Sequence, residues 1–172
     1  MDFKIRESYA LVDNKIYIDS VEDRAKLLED CGEEFYNHVL SLWDTIEDKM
    51  SYQEVLTELK NEKEYELNDK FKEAVSGSFT TTEGYKMQFN TDDSLKMFGA
   101  IQLLESNGLD TGYITDADDV THYDIPIATM KSVQNQMLNR YAECHLLKQQ
   151  YREAINNANS IEDLNEINIL FN

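Results

Sequence analysis

The chain has 172 residues, 41% of them hydrophobic and 29% charged, and its 34 Asp and Glu against 16 Lys and Arg give a formal net charge of −18. This composition fits one folded domain or two very small ones and excludes a disordered chain. It also repels nucleic acid phosphates and anionic membranes.

The acidity is spread along the chain. Residues 1–78 carry 20 acidic and 10 basic residues, and residues 79–172 carry 14 and 6. No basic patch for DNA or RNA is present, and no acidic tail. The cysteines, Cys31 and Cys144, each sit in an amphipathic helical pattern and read as small core residues. Nothing in their spacing resembles a zinc site. The first residues, MDFKIRESYALVDNKIY, contain no apolar run of signal-peptide or transmembrane length. Synthesis and folding in a reducing cytoplasm are expected.

In chain order, residues 3–18 predict a β-hairpin. Phe3 and Ile5 alternate on one arm and Ile16 and Ile18 on the other, around Asp13-Asn14-Lys15, because Asn and Asp tolerate the left-handed turn conformation. Ser20, three residues before Asp23, predicts a helix N-cap. The helix expected from it runs to about residue 48. Val21, Ala25, Leu28, Gly32, Phe35, Val39, Leu42 and Ile46 recur in alternating steps of four and three, a heptad seam, and Trp43 lies at its edge. Ser51 and Glu54 form a second capping box, opening a helix through Val55, Leu59, Leu67 and Phe71 to about Val75. Its charged middle, KNEKEYELNDK, reads as a solvated face. Ser76-Gly77-Ser78 breaks the pattern and is a candidate hinge.

Two β-prone runs, Phe79–Thr82 and Tyr85–Phe89, flank Glu83-Gly84 and predict a second hairpin. Asn90-Thr91-Asp92-Asp93 then opens a helix capped from Thr91 or Asp92, with Met97, Phe98, Ile101 and Leu104 on one face and Asn107-Gly108 as its stop. Gly112–Thr115 and Val120–Ile125 predict a third hairpin around Asp116–Asp119. Pro126, the single proline, ends that hairpin and permits a helix start. The longest helix is expected from about Ile127 to Ala158, with Met130, Val133, Met137, Tyr141, Cys144, Tyr151 and Ile155 near one stripe. Ser160 caps a final short helix, with Leu164, Ile167 and Leu170 inward.

The order of these elements from about Lys72 to Ile167 resembles the DUF4376 domain, a domain of unknown function found widely in bacteriophage and prophage proteins. The residues that carry the resemblance are Phe89, Thr91, Asp92, Gly99, Ala100, Ile101, Thr115, Asp118, Pro126 and Ile161–Ile167. The family often has a tryptophan in the second hairpin of the domain, where this chain has His122 or Tyr123. The resemblance implies a tail-associated protein such as a fibre or baseplate module. It carries no catalytic residues, because the family has none accepted.

Chemistry is sparse. Asp116, Asp118, Asp119 and Asp124 are the one dense acid cluster in a predicted loop, which a calcium ion would want. The EF-hand pattern fails there, lacking its glycine and final glutamate, and an ordinary acidic turn is the stronger reading. His38, His122 and His145 are isolated, with no metal-ligand spacing. Cys144 and His145 are helical neighbours that do not face each other. Cys31 and His38, two turns apart, make a weak catalytic pair. No glycine-rich phosphate loop or nucleophile elbow is present. Tyr85, Tyr113 and Tyr123 fall in predicted strands, where tyrosine is at home.

The expected fold is therefore α+β and mainly α-helical, with long helices and three short β-hairpins. Residues 1–75 form a hairpin and two-helix segment, 76–78 a candidate hinge, and 79–172 the DUF4376-like domain. The expected function is non-enzymatic, with no catalytic, cofactor or metal residues. It is protein–protein contact in a virion tail, baseplate or fibre, with other phage structural proteins and further copies of the chain as partners and neither nucleic acid nor membrane. Helices 21–48 and 127–158 are expected to supply the contact surfaces. Two alternatives stand beside this: an acidic inhibitor that mimics DNA in a basic cleft of a host defence protein, and a tail-fibre assembly chaperone.

Overall fold

The computed structural model describes residues 3–5, 9–13, 15–44 and 51–171. The fold is α+β and mainly α-helical. Strands β1 (Phe3–Ile5), β2 (Tyr9–Val12) and β3 (Lys15–Ile18) come first, then helices α1 (Val21–Cys31), α2 (Glu33–Trp43) and α3 (Tyr52–Ser76). Strands β4 (Ser78–Thr80) and β5 (Lys86–Gln88) lead to α4 (Thr91–Ser106). Strands β6 (Thr111–Thr115) and β7 (Thr121–Pro126) precede α5 (Ile127–Asn157) and α6 (Ile161–Glu166). The chain forms two compact units. One is drawn from Met1–Glu64 and Ala154–Asn168, the other from Tyr65–Glu153 and Ile169–Asn172. The units thus divide inside α3 and α5, whereas the sequence placed a hinge at 76–78, the junction of α3 with β4.

In the first unit the predicted hairpin is a three-stranded antiparallel meander, β1-β2-β3. Along β2 and β3, Val12 faces Lys15 and Tyr9 faces Ile18. Residues 3–5 then add on the far side of β2, with Ile5 opposite Ala10. Asp13 adopts the expected left-handed conformation, with φ 47°. Asn14 and the side chain of Phe3 lie outside the described residues, as do Ile46 and the side chain of Val21 from the predicted seam.

The single helix expected over 21–48 is two helices. Gly32, at φ 83° and ψ 166°, ends α1 and caps α2. Its N–H donates to the Leu28 carbonyl and its own carbonyl accepts from the Tyr36 N–H, both at 3.0 Å. The break shifts the phase of the apolar stripe. Leu28 and Leu42, two seam positions, are exposed, while Leu27, Val39 and Trp43 are buried against Ala10, Val12 and Tyr17 of the sheet. Trp43 is therefore central to this core and not at a seam edge.

The start of α3 carries the predicted capping box. The Ser51 N–H donates to the Glu54 carboxylate at 2.8 Å, and the Glu54 N–H points back to the Ser51 hydroxyl at 3.4 Å. Val55, Leu56 and Leu59 are buried from this helix. The cap of α6 is the reciprocal Ser160–Asp163 box. It turns Ile161 and Leu164 inward, and the Ile161 N–H donates to the Tyr52 hydroxyl at 3.0 Å.

The second unit has its core in Phe71, Met87, Phe89, Met97, Ile101, Ile114, Ile125, Met130, Val133, Met137 and Cys144. Four of these, Met130, Val133, Met137 and Cys144, lie on α5, along the stripe read from the sequence. These four stripe positions are buried in the unit, while Leu138 and Leu146 of the same helix are exposed. Each fully buried Leu, Ile or Met contributes about 1.5–3 kcal/mol. The β4–β5 turn closes on Gly84, at φ 90°, whose N–H donates to the Thr81 carbonyl at 2.9 Å. Tyr85 lies in this turn and not in a strand. Asn90 is the cap of α4: its side-chain oxygen accepts from the Asp93 N–H at 3.0 Å, the role expected of Thr91 or Asp92. An Asn one residue earlier reaches the third N–H of the helix, which neither of those can from inside the first turn. Residues 169–171 close the unit. Ile169 is buried, the Phe171 ring packs edge-on to Phe71 at 5.8 Å, and Leu170, expected inward, is exposed. Helix α6 stops at Glu166, so the helical spacing that made Leu170 an inward position no longer applies.

Candidate functional site

The four aspartates picked from the sequence build a turn. The Asp116 carboxylate accepts from the N–H groups of Asp118 at 2.9 Å and Val120 at 3.0 Å, and its second oxygen lies 2.9 Å from His122 Nε2. His122 and then these N–H groups hold the Asp116 carboxyl below the usual range. Asp118 pairs with Lys86 Nζ at 2.6 Å. Asp119 and Asp124 take left-handed conformations, at φ 59° and 57°. Among the described residues, no group of three His, Cys, Asp or Glu side chains is placed to hold a metal.

The other candidates do not converge either. Cys31 and Cys144 are free thiols, and burial pushes both above the ordinary thiol range, so neither is an activated nucleophile. His145 stacks on Tyr141 and meets the edge of Phe71. His38 is on the exposed side of α2. In the first unit, a cleft of about 730 Å³ is bordered by Asp23, Asp30 and Tyr17. Its carboxylates are engaged locally: Asp30 accepts from the Tyr17 hydroxyl at 2.6 Å and Asp23 from the Ile18 N–H at 3.0 Å.

The second unit has a more open chemistry around α4. This helix is apolar on two sides. Ser94, Met97 and Ile101 are buried. Leu95, Phe98 and Leu103 face outward with 61%, 49% and 64% of their surface exposed. Phe98, expected inward with Met97, is thus on the outer face. At 100° per residue these three fall on one arc centred near Leu95 and Gly99. A side chain at Gly99 would meet nothing within 4 Å, so the arc is uncovered.

Beside this face is a groove of about 370 Å³, between α4 and strands β5 and β6. Met87, Met97, Ile114 and Met137 form its apolar floor. Asp93, Lys96, Asp116 and Asp119 stand among its polar walls. Tyr113 lines it as well and projects outward beside Tyr123, the two rings 6.4 Å apart. The β6–β7 register shifts between Gly112 and Ile114, and the shift places both Tyr123 and Asp124 opposite Tyr113. This bulge, with Asp124 left-handed, aligns the two tyrosines on the outer surface.

Sequence reading missed this surface, although a signal for it exists. LKMFGAIQLL carries apolar residues at 95, 97, 98, 101, 103 and 104, more than one helical face accommodates. No helix among the described residues is long and apolar enough to cross a membrane. Comparison of the chain with protein-family models, with curated proteins and with solved structures finds no match.

Proposed function

We propose that the chain is a non-enzymatic assembly protein that acts by protein–protein contact through the outer face of α4. The observation that carries this reading is the two-sided helix: Leu95, Phe98 and Leu103 stand exposed on one arc while Met97 and Ile101 anchor the opposite side in the core. Isolated exposed apolar residues are ordinary, but three large ones on one side of a well-anchored helix, with Gly99 and Gln102 between them, are the form an interface takes. Covering the three side chains is worth roughly 3–5 kcal/mol, given their partial exposure.

The resemblance to the DUF4376 domain supports a setting in a bacteriophage virion, in a tail, baseplate or fibre. Phage assemblies repeat their subunits, so the partners are other structural proteins and further copies of the chain. The test combines virion mass spectrometry with the double variant Phe98→Ser, Leu103→Ser. The wild-type protein is expected at many copies per purified particle. The variant is expected to keep its helical circular dichroism and to be missing from particles. Absence of the wild type from particles, or normal incorporation of the variant, refutes the proposal.

A further inference from the structure

We infer that the groove between β5 and β6 docks an extended, cationic peptide segment of a different protein as an added strand. This rests on the contact-protein reading above and names the chemistry of a partner.

The argument starts from which main-chain groups the two strands leave open. The Thr81 N–H donates to the Tyr85 carbonyl at 2.8 Å, so Tyr85 faces the β4 side. Antiparallel ladders alternate, and Lys86 and Gln88 therefore turn their main-chain groups away from β4. On the other hairpin, the Asp116 N–H donates to the Val120 carbonyl at 3.0 Å. The same alternation turns the main-chain groups of Tyr113 and Thr115 away from β7.

These two outward edges face each other. The Ala117 N–H donates to the Lys86 carbonyl at 2.7 Å and ties them at one end. From that tie β5 runs toward Gln88 and β6 runs back toward Tyr113. The strands nevertheless belong to separate two-stranded sheets. The groove lies where they have parted, with Gln88, Tyr113 and Thr115 along its sides. Two opposed strand edges offer donors and acceptors at peptide spacing, the chemistry that recognises a backbone.

The floor and the rim set the side chains. The edges of Met87, Met97, Ile114 and Met137 make the base apolar, which favours apolar groups on the inward side of the peptide, and methionine adapts to varied shapes. Asp93, Asp116 and Asp119 outnumber Lys96, and the chain carries −18, so the flanking residues of the ligand are Lys or Arg. A second copy carries the same net charge of −18 and is repelled by this acidic rim, so the strand comes from a different, cationic protein.

The test is fluorescence anisotropy on the full chain, with octapeptides bearing Lys at both ends and alternating apolar and Thr positions between them. Saturable binding at about 100 µM or tighter is expected for some members. N-methylation of alternate backbone amides in the best peptide is expected to weaken it at least tenfold. Ala100→Trp, at an exposed position on the groove wall, is expected to do the same. Thr115→Pro removes one outward N–H and no main-chain bond to β7, giving up only the 3.1 Å hydroxyl contact with Thr121, and is expected to weaken binding severalfold. Phe98→Ser is expected to leave peptide binding unchanged. Failure of every peptide, binding that survives N-methylation, or indifference to both groove variants overturns the inference. Because Phe98 and Leu103 are read out separately in particles, loss of the groove result leaves the α4 interface standing, and loss of the α4 result is seen independently.

Discussion

Gly32→Ala isolates the cost of the break between α1 and α2. At φ 83° and ψ 166° the backbone is in a region populated almost only by glycine. A side chain there would touch nothing within 4 Å, so no steric clash with neighbours enters the sum. Backbone strain of about 1–3 kcal/mol is offset in part by the smaller entropy of an unfolded chain with Ala, about 0.4–1 kcal/mol. The net expectation is a loss of about 1–2 kcal/mol. Trp43 is the single tryptophan and is buried in the core that both helices share, so its fluorescence reports on the right region. In urea, a slope of about 1 kcal/mol per molar for a unit of this size moves the Trp43 midpoint down by about 1–2 M. An unchanged or raised midpoint refutes the reasoning. It would mean that Ala lets residues 21–43 run as the continuous heptad helix that the sequence pattern predicts.

Other substitutions probe the second unit. The Ser94 hydroxyl is buried on α4 without a hydrogen-bond partner, so Ser94→Ala removes an unmet polar group and improves helix propensity. Thermal unfolding should show stabilisation by about 1 kcal/mol, and a lower melting temperature would contradict the assignment. Glu83 is held down to about 2 by the Ser132 hydroxyl and by the Gln136 amide, whose nitrogen lies 2.7 Å from the carboxylate. A carboxyl depressed in the folded state stabilises above its unfolded value near 4.5, and that contribution is lost as pH falls toward 2. Glu83→Gln should therefore cost about 0.5–1 kcal/mol at pH 7, after screening at this exposed site, and less at pH 3. An equal cost at both pH values would assign the effect to geometry and not to charge.

Local chemistry was the legible part of this sequence. Ser20, Ser51 and Ser160 each cap the helix they were expected to cap, since a cap is decided by residues three apart. Gly84 and Gly108 sit at the positive φ angles their turns require. The α5 stripe was legible because four of its members share a core in which helical periodicity is uninterrupted. What failed depends on a conformation that spacing cannot report. Gly32 fits a heptad seam as a small residue, yet its real function is to leave the helix, and the same letter serves both. Residues 9–12 were hidden because periodicity identifies strands and does not say which of them are neighbours. The α4 surface was hidden by excess: Phe98 was counted inward with Met97, although adjacent helical residues point a quarter-turn apart. The groove edges depend on hydrogen-bond parity in two hairpins and have no counterpart in residue type.

The discontinuity of the two units constrains how the protein is made. Residues 1–64 leave the ribosome early, but α6 arrives only with residues 161–166, and Ile161 and Leu164 are part of what that unit buries. Lys60 likewise waits for the Asn156 carbonyl, 2.9 Å from its ammonium group in the finished structure. The second unit waits too, for Ile169 and for the Phe171 ring that closes over Phe71 and Tyr151. Both cores therefore stay incomplete until residues 154–171 are made, so a chain truncated before them leaves apolar surface of each unit uncovered. The net charge of −18 then acts before folding as well, as mutual repulsion among unfinished chains.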